Sequence, residues 1–162
     1  MGDRHIGKFE RMEAIKVFKH TIPYDKIAIT GNIGVNDRAF TLPNVAFWAW
    51  QSFDVNMGTD KIWKRLAAYT GRPNYFLETL IHEFVHVWQG HNKTVPWGYV
   101  ANSLWHQITQ GDKAYSFTLG KKWGDYNAEQ QASIVEGWYV RGCDHNDKAF
   151  HYIRDHIWKA KG

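Results

Sequence analysis

Apolar side chains along this chain switch between helical and alternating spacing, and the switches mark out its elements. From about Phe9 to Lys19, Met12, Ile15 and Phe18 recur at helical spacing, predicting an opening helix that Ile22-Pro23-Tyr24 ends. Lys26 to Thr30 alternates around Ile27 and Ile29. Gly31 to Gly34 then reads as a turn before an extended segment around Ala39-Phe40-Thr41, and Pro43-Asn44 separates that from Val45 to Trp48. A sheet of two or three short strands follows from this pattern.

The second half is helical. Thr59 is placed to cap a helix over Asp60 to Thr70 with Ile62, Trp63, Leu66 and Tyr69 inward and Gly71-Arg72-Pro73 as its stop. Asn74 can cap the next helix, which Gly90 is expected to end. A looser helical pattern runs from Gly98 to Gln110, and Gly111-Asp112 and Gly120 to Gly124 read as loops. Asn127, with Gln130 three residues on, caps a helix reaching about Val140, and Asp147 opens a last one through Phe150, Ile153, Ile157 and Trp158. The fold class is therefore α+β, mainly helical, with a small N-terminal sheet packed on the central helix. No repeat or linker interrupts the 162 residues, which read as a single domain.

That central helix carries the chemistry. His82-Glu83-Phe84-Val85-His86 is an HExxH pentapeptide, and two histidines four apart stand about 40° apart in azimuth and one turn apart in height, so both rings can meet one zinc ion. Glu83, next round the helix, can deprotonate a water activated by that ion. With nine His in the chain, chance produces the pentapeptide in only about 2% of comparable sequences. Leu77, Leu80, Ile81, Phe84, Val87 and Trp88 form an apolar surface, while His82, Val85, His86 and Gln89 share another side. The alternative, a buried helix whose histidines merely hydrogen-bond, leaves two imidazoles and a carboxylate buried without a charge partner.

A catalytic zinc takes three protein ligands and keeps a fourth position open, so a third donor is required. The HExxHxxGxxH pattern fails, because Gln89 and Asn92 stand where Gly and His are needed; His91 is one step off and remains an alternative. A carboxylate from a later helix is the other solution. Glu129, followed one turn later by small Ala132 and Ser133, leaves room for close helix packing and is the chosen third ligand. Glu136, two turns further along nearly the same face, can orient a ligand histidine or serve as an alternative ligand. An oxyanion-stabilising group cannot be selected among Tyr126, Tyr139, His145, His151, Tyr152 and His156 by spacing.

Charge and cysteine content narrow the partners. The net charge of +4 comes from scattered basic residues without an aromatic-interleaved stripe, which argues against nucleic-acid binding. Cys143 is the only cysteine, excluding an internal disulfide and a thiolate zinc cluster. No stretch approaches the length of a membrane span, and the start lacks an apolar signal core, so export requires some other route.

His82 to Gly90, with Asn102-Ser103-Leu104-Trp105, Ala114-Tyr115, Trp123 and Asn127-Ala128-Glu129-Gln130-Gln131-Ala132, resembles a bacterial family of small zincin domains. That family has an HExxHxWQ helix and an NAEQQA helix and occurs alone or at the tips of type VI secretion spike and Rhs-type toxin proteins. Ala39-Phe40-Thr41 resembles the extended stretch that precedes the metal helix in related domains. The resemblance implies a zincin-like, gluzincin-type metallopeptidase fold with Glu129 as third ligand; an edge strand around Ala39, Phe40 and Thr41 beside the metal helix is where such a fold would hold an extended peptide, the alternative being a sheet that merely covers the core. It also implies an antibacterial toxin, made in the bacterial cytoplasm without a signal peptide and delivered into a rival's periplasm.

The expected activity is zinc-dependent peptide hydrolysis, with His82, His86 and Glu129 on the metal and Glu83 as base. Expected partners are a protein or peptide substrate, a cognate immunity or inhibitor protein and a secretion-apparatus component, with the chain itself monomeric. Two rivals stand beside this: a catalytically silent zinc-containing binding module, and a zinc amidase acting on cell-wall material.

Overall fold

The computed structural model describes residues 4–32, 38–43, 52–92 and 116–161. The expected strand over Val45 to Trp48, the helix over Gly98 to Gln110 and the motif residues Asn102 to Trp105, Ala114 and Tyr115 lie outside them.

Four short strands form one sheet: β1 (Arg4–His5), β2 (Ile27–Thr30), β3 (Phe40–Pro43) and β4 (Phe53–Asn56). Their order is β1-β2-β4-β3. β1 pairs antiparallel to β2, β2 runs parallel to β4 in register Ile29↔Val55, and β3 closes the order antiparallel to β4 with Thr41↔Val55. The two extended segments read from the sequence are thus not neighbours, because β4 lies between them. Alternation in β4 buries Phe53 and Val55 on one face.

Helices α1 (Lys8–Phe18), α2 (Asp60–Thr70) and α3 (Tyr75–Asn92) follow the predicted order, with α4 at Ala128–Val140 and α5 at Phe150–Tyr152 running straight into a π-helical turn, Ile153–Ile157. α1 forms where the spacing predicted a helix and faces the core with Glu10, Ala14, Val17 and Phe18; Met12 (54% exposed) and Ile15 (38%) are on the outside. Tyr69 of α2, expected inward, is 88% exposed, and only Trp63 of that helix is buried. Gly71, in the left-handed conformation at φ 68°, closes α2 as expected. Asn127 and Gln130 form the predicted reciprocal cap of α4.

α3 is the axis of the molecule. Every residue from Leu80 to Gly90 is buried, and the helix packs against α4, α1, α2 and the strands β3 and β4. Phe84 meets Phe18 edge-on at 6.4 Å, Trp88 meets Trp123 at 6.2 Å, and the Trp88 indole donates to the Ile157 carbonyl at 3.2 Å. Each such fully buried side chain contributes about 1.5–3 kcal/mol. Gly90 does not end α3, which runs on to Asn92. A Cβ at residue 90 would come 2.8 Å from the Phe53 ring, so this glycine permits the close approach of helix and sheet.

Candidate metal centre

His82 and His86 project from consecutive turns of α3 toward α4, where Glu129 in the first turn of that helix meets them. One ligand atom from each lies within 4.8 Å of the others, and all three residues are buried. Glu129 Oε2 is 3.1 Å from His82 Nε2 and Oε1 is 3.3 Å from His86 Nε2. Ligand atoms around a tetrahedral ion with bonds of about 2.0–2.1 Å are separated by about 3.3 Å, so the spacing of each imidazole nitrogen from a Glu129 oxygen is close to that of two ligands of one ion. His86 Nε2 supplies a second test: despite its proximity to Glu129 it is poorly aligned for a hydrogen bond and has no partner, which is costly for a buried ring nitrogen unless something else engages it. The His82, His86 and Glu129 group can hold a metal ion.

Each histidine is steadied through its other nitrogen. His82 Nδ1 donates to Glu136 Oε2 at 3.0 Å, placing Glu136 behind the ligand as the sequence reading allowed. Glu136 Oε1 in turn lies 3.7 Å from the Arg72 guanidinium, which also bonds Glu78 and covers the Tyr75 ring at 4.9 Å. His86 Nδ1 is 2.8 Å from the side-chain oxygen of Gln89.

Burial alone lowers the His82 and His86 pKa values, but the hydrogen bonds of His82 to Glu129 and Glu136, and the charge of Glu129 beside both rings, outweigh it and raise both. Burial likewise opposes ionisation of Glu129, yet the facing His86 and His82 hold its carboxyl well below the usual range. Glu83 differs. Burial pushes its pKa up, and the nearby His86, His82 and the Thr41 hydroxyl only partly offset this. The Thr41 hydroxyl donates to Glu83 Oε2 at 2.7 Å, with the Glu83 carbonyl a longer alternative acceptor at 3.2 Å.

The remaining predicted residues fall as follows. His91, in the last turn of α3, is exposed and outside the donor cluster. Ala39 and Thr41 are buried and Phe40 is half-buried, and the Thr41 side chain is engaged with Glu83. Among the oxyanion candidates, the Tyr126 and Tyr152 hydroxyls bond each other and the loop carbonyls of Thr118 and Lys121. Tyr139 donates to Glu13, His145 stacks on Phe150, His151 contacts the Lys148 carbonyl and His156 stacks on Trp123. The roles of Thr41, Gln89 and Arg72 were not read from the sequence. For Gln89 a signal existed, since a position three residues after His86 shares its helix face.

Compared with protein-family models, with curated proteins and with solved structures, the chain finds no match. Function therefore rests on the chemistry of the site and the motif resemblance. Among the described residues no helix is long and apolar enough to cross a membrane.

Proposed function

We propose that this chain is a zinc-dependent peptide hydrolase in which His82, His86 and Glu129 hold the ion and Glu83 is the general base. The observation that carries the reading is the convergence of three buried donors, two nitrogens and one oxygen, beside a second buried carboxylate, Glu83, that is not one of them. Two histidines and a carboxylate are a donor set of catalytic zinc sites. Zinc, when bound there, supplies a Lewis acid that activates water near neutral pH and polarises a carbonyl.

The protein's own residues do the rest. Glu83 accepts a proton from the attacking water and returns it to the leaving amine, and its burial favours that exchange by keeping the carboxylate weakly solvated. Thr41 fixes the direction of the carboxylate. Among the described residues β3 stands at one end of the strand order, so its main chain from Phe40, with Ala39 just before it, is suited to align an extended peptide by strand addition. The motif resemblance extends this reading to an antibacterial effector released by a secretion system, with an immunity protein as its partner.

Metal analysis of wild type, Glu83→Ala and Glu129→Ala, together with cleavage of a mixed peptide library read by mass spectrometry, tests the proposal. Wild type carries one zinc and cuts peptides. Glu83→Ala keeps the zinc and loses about 10²–10⁴ in turnover, whereas Glu129→Ala loses both. A wild type that binds no zinc, or whose cleavage survives Glu83→Ala, refutes it. Periplasmic against cytoplasmic expression of the same proteins tests the effector role: growth arrest confined to periplasmic wild type supports it, and harmless expression in both compartments counts against it.

A further inference from the structure

Two glutamines buried behind His86, Gln89 at 1% exposure and Gln131 at 2%, form a chain whose every direction can be assigned. Gln131 Nε2 lies 2.9 Å from the Trp123 carbonyl and 3.4 Å from that of Tyr126. Carbonyls only accept, so the nitrogen end of Gln131 is fixed there and its oxygen faces Gln89. Gln89 Nε2 then donates to Gln131 Oε1 at 3.0 Å and to the Ala128 carbonyl at 3.1 Å, again both acceptors. What remains of Gln89 is its oxygen, 2.8 Å from His86 Nδ1. An amide oxygen cannot donate, so that ring nitrogen carries the hydrogen.

We propose that Gln89 and Gln131 are positioning residues: an amide relay, anchored on backbone carbonyls at Trp123, Tyr126 and Ala128, that locks neutral His86 as the Nδ1–H tautomer. The lone pair of Nε2, the atom left without a hydrogen-bond partner, then faces Glu129 and the metal position. In water the neutral ring exchanges its proton between both nitrogens; here three main-chain oxygens on and just before α4 decide the matter. The relay also ties α3 to α4 through neutral groups, so it adds no charge to the buried site. Its consequence for metal affinity rests on the metal-site reading above, but the tautomer does not.

Proton–nitrogen correlation spectra of metal-free wild type, at a pH where His86 is neutral, test the core of the proposal without any variant. His86 protonated at Nδ1 supports it, and protonation at Nε2 overturns it. Zinc competition against a chromophoric chelator is the second arm. Gln89→Leu weakens binding by roughly 10–100-fold and Gln131→Leu, which frees Gln89 to turn over, by a smaller factor, with His86 in both variants divided between tautomers. Unchanged affinity in both variants, shown by circular dichroism to be folded, overturns the relay. A wild type that takes up no zinc instead defeats the metalloenzyme reading, while its His86 tautomer still decides the relay.

Discussion

The two histidines of the centre are supported in opposite ways. Behind His82 stands a carboxylate, Glu136, whose side chain is 23% exposed and which reaches a half-exposed arginine. Behind His86 stands a neutral amide chain, sealed from solvent, that ends on backbone carbonyls. A carboxylate partner raises the basicity of a ring and couples it to outside charge, while an amide fixes orientation without moving charge. One ring is thus tuned electrostatically and the other geometrically, although both belong to a single helix and face a single glutamate.

Removing either ring makes the largest difference and erases the contrast. His82→Ala and His86→Ala are each expected to lose stoichiometric zinc in metal analysis; zinc retained by one of them would show that only the other side matters. Glu136→Gln makes the two sides alike. It should keep a folded protein and lower zinc affinity by roughly tenfold in chelator competition, and an unchanged affinity would mean that the carboxylate contributes no more than an amide would. Arg72→Ala acts one step further out on a partly exposed group. Its effect on zinc affinity should be a few-fold at low salt and should shrink as ionic strength rises, whereas the His86 side has no such charge to screen.

The smallest effect belongs to an ion pair of another part of the chain and serves as the control. Glu10 accepts from Arg4 at 2.5 and 2.7 Å and from the Gly7 N–H at 2.6 Å. Burial opposes its ionisation, but these bonds hold its folded pKa below the ordinary 4.5. Because the folded value is the depressed one, the stabilisation is present above about pH 4.5 and lost as pH falls through the folded pKa. Glu10→Gln should cost about 1 kcal/mol in denaturant unfolding at pH 7, lose that disadvantage in acid, and leave zinc affinity untouched.

Legibility from sequence followed how local each determinant is. α2 and α4 were read with their ends because Gly71, Asn127 and Gln130 act within a few residues of themselves, whereas Thr59 stands at the N-cap of α2 without a side-chain capping bond. His82, His86 and Glu129 were nominated from side-chain chemistry and helix spacing, and the structure brings them together. β1 and β4 were missed: two and four residues long, they are strands through their neighbours, β1 by pairing with β2 and β4 by pairing with both β2 and β3. The covered face of α1 was not read, because Met12 and Ile15 are as apolar as Ala14 and Val17, and only the packing partner decides which side is covered. Thr41 and the Gln89–Gln131 chain depend on contacts between residues some forty positions apart, which composition and periodicity do not encode.

A missing side chain governs how all of this fits together. Because residue 90 ends at its α-carbon, the Phe53 ring can lie flush against the metal helix, and β4 follows Phe53 inward. β3 is laced to β4 through Thr41 and Val55, so the hydroxyl that steers Glu83 sits at a depth set by one hydrogen atom on the opposite end of the helix. Gly90→Ala would act as a wedge, lifting the sheet and loosening the hold of Thr41 on Glu83 while leaving the His82, His86 and Glu129 side chains untouched.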